Sequence, residues 1–104
     1  MTTVALLSVA PVIEGSMAAE VAKAVESLEH HDVRYETTPM GTIIEADDAE
    51  TIFAAAGAAH AAVDASRVST FLKIDDKRVA SSSAEDKVDS VEEHLGRSAR
   101  GDNR

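Results

Sequence analysis

The carboxylate of Glu45 is the side chain in this sequence whose setting most needs a chemical explanation. It stands in a β-branched stretch directly after the turn residues Pro39-Met40-Gly41. A charged side chain within a strand is costly unless it faces water or a partner. Glu45 could therefore neutralise a cationic ligand at a subunit junction, or it could form an intermolecular salt bridge with Lys73 or Arg67. The sequence leaves both interpretations open.

Hydroxyl groups surround the same turn, where Thr37, Thr38 and Thr42 flank Met40. Together with the backbone of the turn they could hold a polar heterocycle, and the thioether of Met40 could contact the faces of its ring. The same residues are also ordinary turn formers. Composition alone therefore favours a plain turn over a ligand site at this position.

Other candidate groups give weaker signals. Gly15-Ser16 precedes a helical pattern, and free N–H groups at a helix start can hold an anion. His30 and His31 adjoin the end of that helix, where adjacent side chains diverge, so we interpret them as placed at its negative end and not as metal ligands. No nucleophile elbow, phosphate loop or metal-ligand spacing occurs in the sequence. We therefore expect no metal, no cofactor and no catalytic residue.

Composition narrows the class of protein. The 104 residues include 19 acidic and 10 basic side chains, which gives a formal net charge of −9. Nucleic-acid binding needs a basic patch, and anionic membrane surfaces repel such a chain. Hydrophobic residues make up 44%, and no apolar stretch reaches membrane-spanning length. Absent cysteine, few lysines and dispersed acidic residues predict a cytoplasmic, acidic protein adapted to a salt-rich interior.

The first half of the chain predicts three strands and a helix. Residues 2–10 are apolar on both faces, which is typical of a central strand. Ser16 is the expected N-cap of a helix that ends near residues 29–32. Residues 33–38 and 42–46 predict a hairpin across the Pro-Met-Gly turn. The apolar face of the first helix consists of Val21, Ala24, Val25 and Leu28.

The second half predicts two helices and one strand. Asp47 and Glu50 resemble a capping box that opens a helix running to about Asp64. Residues 67–75 predict the last strand, and a third helix covers 84–95, capped by Ser82 with Glu85 and closed by Gly96. We expect the chain to form a single domain of residues 1–96, followed by a flexible polar tail of residues 97–104. The buried stripe predicted for the second helix is Ile52, Ala55, Ala56, Ala59 and Val63.

The element order β-α-β-β-α-β predicts an α+β, ferredoxin-like fold with an extra C-terminal helix. Four antiparallel strands would carry two helices on one face. The other face would hold Ile43 and Phe71, together with Glu45 and Lys73. Bare apolar sheet is unstable in water, so we expect another subunit to cover this face, with help from the third helix.

The run Pro39-Met40-Gly41-Thr42-Ile43-Ile44-Glu45 resembles the Pro-Met-Gly-Thr-x-x-Glu signature of the small ferredoxin-fold thiamine-binding proteins, formerly an uncharacterised family. The resemblance covers residues 4–95. Further matching positions are Pro11 to Ser16, Arg67, Thr70, Lys73, Ile74, Arg78, Lys87-Val88 and Ser90-Val91-Glu92. One departure is Ala46, where the family commonly has Gly.

The resemblance implies homo-oligomers, with dimers pairing into tetramers through sheet faces, and non-catalytic binding of thiamine or its hydroxymethylpyrimidine part near subunit contacts. In this hypothesis Glu45 meets the cationic or amino part of the ligand. Thr38, Thr42 and the backbone beside Met40 hydrogen-bond the pyrimidine, and Ser16 and Lys73 complete the candidate site. The alternative is a structural or regulatory oligomeric module with no small-molecule ligand, and an enzyme acting on a small heterocycle is a further reading.

Overall fold

Four antiparallel strands form the sheet of the computed structural model, which describes residues 2–78 and 84–101. The elements in chain order are β1 (Thr2–Pro11), α1 (Ala18–Ser27) continued by a 3-10 turn (Leu28–His30), β2 (Arg34–Thr38), β3 (Gly41–Ala46), α2 (Ala49–Ala62), β4 (Val68–Lys77) and α3 (Ala84–Leu95). The fold is α+β and ferredoxin-like, as the element order predicts. No helix in the described ranges is long and apolar enough to cross a membrane.

Strand β1 lies in the middle of the sheet, whose order is β2-β3-β1-β4. It pairs with β3 from Thr3 opposite Ala46 to Leu7 opposite Thr42. It pairs with β4 along its whole length. The residues of β1 that face the helices are buried, whereas the alternate residues, which include Val4 and Leu6, are only half-buried on the opposite face of the sheet.

The core lies between the sheet and the helices α1 and α2. Alternate residues of β1 are buried on this side, and Ile44 and Ala46 of β3 join them. The stripe predicted for α2 is confirmed, since all five of its residues are buried. Full burial of a side chain such as Leu28 or Ile52 contributes about 1.5–3 kcal/mol. The alanines of α2 let that helix lie close to the sheet.

Two of the three predicted helix caps shift by one residue. Asp48, not Asp47, caps α2, because its extended backbone lets its carboxylate accept the N–H of Thr51 at 2.8 Å. Met17, not Ser16, occupies the N-cap position of α1, although the hydroxyl of Ser16 accepts the N–H of Ala18 at 3.2 Å. These corrections move the helix starts without changing which faces are buried.

Glu92 of α3 accepts hydrogen bonds from residues that follow the helix. Gly96 closes α3 with φ +75°, and its N–H donates to Glu92 O at 2.8 Å, as predicted. The N–H of Ala99 donates to the Glu92 carboxylate at 2.8 Å. The proposed cap Ser82 and residues 102–104 lie outside the described residues. The division into a domain of residues 1–96 and a flexible tail stays a prediction.

The sheet face opposite α1 and α2 is the open face, and it carries Val4, Leu6, Ile43, Glu45, Phe71 and Lys73. Helix α3 is linked to one part of it by an ion pair between Lys87 and Asp75 of β4. Phe71 is nevertheless 58% exposed, and Val91 and Leu95 of α3 are exposed as well. Within one chain, α3 therefore covers this apolar surface only in part.

Candidate functional site

The candidate site residues do not converge in one chain. Thr42 points towards the helices and is only 6% exposed. Glu45 lies three positions further along β3 and therefore points to the open face, as does Lys73 of β4. A ligand that touches Thr42 of one protomer cannot also touch Glu45 of that protomer. The combined site that the resemblance implies is thus divided between two faces of the sheet.

A cavity of about 190 Å³ lies on the helix side, between α1, β1 and the β2-β3 turn. We call it the hairpin pocket. Its apolar wall includes Leu7, Val9, Val21, Ala24, Val25 and Leu28, and its turn side consists of Thr37, Thr38, Pro39, Met40, Gly41 and Thr42. The signature run therefore forms one wall of a real concavity instead of a plain turn.

Two hydroxyls give the hairpin pocket its polar character. Thr37 Oγ1 and Thr42 Oγ1 lie 3.2 Å apart and share a hydrogen bond. Each hydroxyl offers one donor and two acceptor lone pairs. Their mutual bond uses one donor and one lone pair, so the pair can still both donate to and accept from a ligand. This matches a heterocycle that carries both kinds of group.

The hydroxyl of Thr38 holds the turn together. It donates to Gly41 O at 2.8 Å and accepts the N–H of Met40 at 3.2 Å. This local bonding is the ordinary turn chemistry of a threonine. Thr38 lines the pocket, but its hydroxyl is already hydrogen-bonded within the turn. Its main role is therefore to hold Met40 in position.

Gly41 explains why the turn lies so close to β1. Its φ is +144°, and a Cβ built there would lie 2.9 Å from Leu7 O and 3.1 Å from Leu6 Cδ1. A side chain would therefore push the turn away from β1 and also strain the backbone. The glycine of the signature is required by this close approach, which also shapes the pocket.

Two methionines stand at the mouth of the pocket. Met40 is 81% exposed at the tip of the turn, and Met17, just before α1, is also exposed and lines the same pocket. Sequence reasoning missed Met17. The signal was present, because Met17 lies one turn before Val21 on the face that continues to Ala24 and Leu28.

Ser16 is poorly suited to the anion role predicted for it. Its hydroxyl accepts the N–H of Ala18, and Met17 O accepts those of Glu20 and Val21 at 3.1 and 2.9 Å. Three of the first four N–H groups of α1 thus already have acceptors. The start of α1 therefore offers little unused capacity for an anion.

Glu45 has a partner that sequence reasoning did not consider. Its Oε2 accepts from Nε of Arg34 at 3.0 Å, across the hairpin within the same chain. This pair lies within one chain, so the two interpretations of Glu45, contact with a cationic ligand or an intermolecular salt bridge with Lys73 or Arg67, both stay predictions. Register could have revealed it, because a two-residue turn pairs Thr38 with Gly41 and, four residues back, Arg34 with Glu45.

A second, larger cavity of about 540 Å³ lies between the open face and α3, and we call it the open-face cavity. Its floor holds Val4 and Ile43 with the Arg34–Glu45 pair, and α3 adds Lys87 and Val88. Lys87 lowers the pKa of the Asp75 carboxyl, first through its hydrogen bond and then through its charge. This cavity is rimmed by charges of both signs.

Among the described residues, no cluster of His, Asp and Glu could hold a metal ion.

Comparison with known proteins agrees with this geometry. The family model described as "Thiamine-binding protein" matches residues 5–92, which includes both walls of the hairpin pocket. The chain belongs to the thiamine-binding protein family.

Relatives in this family are archaeal and bacterial. A UPF0045 protein of Methanothermobacter thermautotrophicus is 47% identical over 83 residues, which cover 77% of this chain and 84% of the relative. The UPF0045 protein MJ1052 of Methanocaldococcus jannaschii is 36% identical over 93 residues, covering 86% and 92% of the two chains. The expected membership is therefore confirmed by similarity over most of the chain.

Solved structures show the same fold. A crystal structure of the hypothetical protein MJ1052 superposes with a TM-score of 0.81 at 35% identity, covering 88% of this chain and 97% of the other. A putative thiamine biosynthesis/salvage protein of Thermotoga maritima gives a TM-score of 0.74 at 22% identity, with 88% and 99% covered. At that identity the second likeness supports the fold alone.

Ala46, which stands where the family commonly has Gly, does not alter the lining of either cavity. Ala46 is fully buried on the helix side of β3, opposite Thr3 of β1. Its methyl group packs in the core and lines neither the hairpin pocket nor the open-face cavity. Glycine is thus not needed here for either cavity to form in this member of the thiamine-binding protein family.

Proposed function

We propose that this chain binds thiamine or a hydroxymethylpyrimidine-type precursor, without catalysing a reaction on it, and does so as a homo-oligomer. The observation that carries the proposal is the hairpin pocket, in which the family signature forms the polar wall of a concavity. Membership of the thiamine-binding protein family supports the class of ligand.

The size of the pocket selects a part of the ligand. Sites for drug-sized molecules have volumes of about 300–1,000 Å³. The hairpin pocket, at about 190 Å³, is smaller and suits a single substituted ring. We therefore place the aminopyrimidine ring inside it and leave the thiazolium ring of thiamine outside, beyond Met40.

The chemistry of the walls suits that ring. Aliphatic side chains from β1 and α1 would pack against its edges and faces, and the Thr37–Thr42 hydroxyl pair would meet its amino group and ring nitrogens. The thioethers of Met17 and Met40 are polarisable and would contact the ring faces at the mouth. Such a site binds by shape and hydrogen bonding, without need of a charge.

Charge acts at longer range in this proposal. A protein of net charge −9 attracts a cation such as thiamine, and salt screens this attraction. Glu45 and Lys73 remain predicted contacts, but they lie on the other face of the sheet from the pocket. They could reach a ligand only if a neighbouring copy presented it to the open face.

The open face supports the oligomeric part of the proposal. Phe71, Val91 and Leu95 are exposed in the single chain, and a second copy stacked on this face would remove them from water. The same surface favours the alternative function, a structural or regulatory module without a ligand. Sedimentation at working salt would test assembly in either case, and a well-folded lone protomer would remove the oligomeric part.

Isothermal calorimetry tests the ligand directly. We expect heat of binding with both thiamine and hydroxymethylpyrimidine, because the ring that enters the pocket is common to both. The isolated thiazole alcohol serves as the control and should give none. Absence of heat with all three at millimolar concentration, from a chain shown to be folded, would leave the module without a ligand as the better account.

A further inference from the structure

The hairpin pocket has an uncharged lining. Every residue that lines it falls within the described part of the chain, and each is apolar, is glycine or proline, or carries a neutral hydroxyl. The open-face cavity provides the contrast, because Arg34, Lys87 and Arg100 contribute to its lining. Cationic side chains thus contribute to the open-face cavity but not to the lining of the hairpin pocket.

We propose that the hairpin pocket discriminates by charge state, accepting the unphosphorylated hydroxymethylpyrimidine alcohol and rejecting its phosphate ester. This inference rests on the proposed function and sharpens its ligand class. An anionic ester loses water at the pocket and needs cationic partners or several N–H donors in return. The side chains of the lining supply neutral hydroxyls and apolar atoms but no cationic partner.

The start of α1, where Met17 lines the pocket, is a nearby feature that could have accommodated a phosphate, since helix N-termini bind anions. Here Ser16 Oγ accepts the N–H of Ala18, and Met17 O accepts the N–H groups of Glu20 and Val21. The flanking charge is also unfavourable. The charge of Lys23 is neutralised by its ion pair with Glu20 at 2.8 Å. Glu14 adds a negative charge that would repel an anion.

The position of the phosphate on the ligand should determine how strongly the pocket rejects the ester. In the phosphate ester of hydroxymethylpyrimidine the anion is attached one carbon from the ring, so it must sit at the pocket itself. In thiamine phosphate it hangs from the far end of the thiazolium part, outside the pocket. Rejection should therefore be strong for the first ester and weak for the second.

Calorimetric titration of the intact chain with four probes tests the inference. The probes are hydroxymethylpyrimidine, its phosphate ester, thiamine and thiamine phosphate. We expect the free pyrimidine alcohol to bind at least about tenfold more tightly than its ester, and the thiamine pair to differ much less. The preference within the first pair should persist at high salt, because screening acts on exposed charges and not within the pocket.

A matched pair of variants supplies an independent reading. Met40 is largely exposed, so Met40→Lys should fold normally and place an ammonium group at the mouth. Met40→Gln has a similar length without the charge. We expect Met40→Lys to favour the ester over the alcohol several-fold relative to Met40→Gln.

The outcomes separate the two claims. Equal or tighter binding of the pyrimidine ester by the unaltered chain overturns the selectivity while leaving the proposed function intact. If the free alcohol and thiamine both give no heat, the proposed function fails first and the selectivity fails with it. A preference for the alcohol that vanishes at high salt would assign the effect to long-range repulsion and overturn the role of the lining.

Discussion

The hairpin pocket and the open-face cavity lie on opposite faces of the same strand β3 and differ in chemistry. The hairpin pocket is small, neutral and enclosed by the core on one side. The open-face cavity is larger, rimmed by charged groups and partly covered by α3. Residues of the family signature contribute to both, because alternation along a strand sends Thr42 to one face and Glu45 to the other. One motif therefore serves two surfaces.

The difference also concerns how firmly each cavity is built. The walls of the hairpin pocket are core residues of β1 and α1 such as Leu7 and Leu28, which are nearly inaccessible to water. The open-face cavity depends on α3, whose side chains are mostly exposed and which is held at Asp75 by Lys87. Rigid neutral walls suit selective binding of a ring, whereas a mostly exposed helix suits a surface that exchanges partners.

We expect the largest effect on stability and ligand binding from a substitution at Gly41. Gly41→Val should lower the free energy of unfolding by about 1–3 kcal/mol and weaken pyrimidine binding, because its Cβ would collide with Leu7 O at a strained φ. Urea denaturation measures the first effect and calorimetry the second. Gly57→Ala is the matched control: it lies in α2 with no atom near the added Cβ and should stabilise by about 0.5–1 kcal/mol.

If Gly41→Val folds as stably as the unaltered chain, the close approach of the turn to β1 is not what shapes the hairpin pocket. The comparison between a rigid pocket and a loosely covered cavity would then lose its structural basis.

An intermediate effect is expected from substitutions on the two faces of β3. Thr42→Val keeps the shape of the side chain but removes the hydroxyl bonded to Thr37, and should weaken hydroxymethylpyrimidine binding by roughly tenfold, about 1.4 kcal/mol. Glu45→Gln changes the pair with Arg34 on the other face. It should leave that affinity unchanged.

Calorimetry on both variants distinguishes the two faces. A loss of pyrimidine affinity in Glu45→Gln would contradict their separation. A loss with thiamine alone would instead show that the carboxylate meets the thiazolium charge, which requires a neighbouring copy to bring the two together.

The smallest effect should be on the docking of α3 at low pH. Lys87 lowers the pKa of Asp75 from its ordinary value of 3.8, so the ion pair favours the docked helix above that value. As the pH falls below about 3.8 and through the lowered pKa, Asp75 takes up a proton and the contribution is lost. Amide hydrogen exchange in α3 should therefore accelerate over this interval.

The pKa values of Asp48 and Glu20 are also lowered, by the hydrogen bonds from Thr51 and from Lys23 respectively, so their protonation also removes stability as the pH falls. Asp75→Asn isolates the contribution of the helix contact, and this variant should show fast exchange in α3 already at neutral pH. Equal exchange rates in the variant and the unaltered chain would mean that the Lys87 contact does not hold α3.

Much of the fold could be predicted from the sequence, since the relevant patterns are local. The apolar run of β1 indicated its central position, and the alanine stripe of α2 indicated its buried face. The cap positions were wrong by one residue, because neighbouring Asp47 and Asp48 carry the same chemistry and only the backbone conformation distinguishes them. The Arg34–Glu45 pair was missed although hairpin counting could have found it.

The sequence by itself determined the order of the elements, the faces that alternate along each strand and membership of the family. Only the tertiary structure decided that α1 stands far enough from the turn to leave a pocket, that Met17 and Met40 line the same pocket, and that Lys87 reaches Asp75. Patterning depends on each residue and its near neighbours. A cavity depends on how closely elements distant in the chain can pack, which the volumes of many side chains decide together.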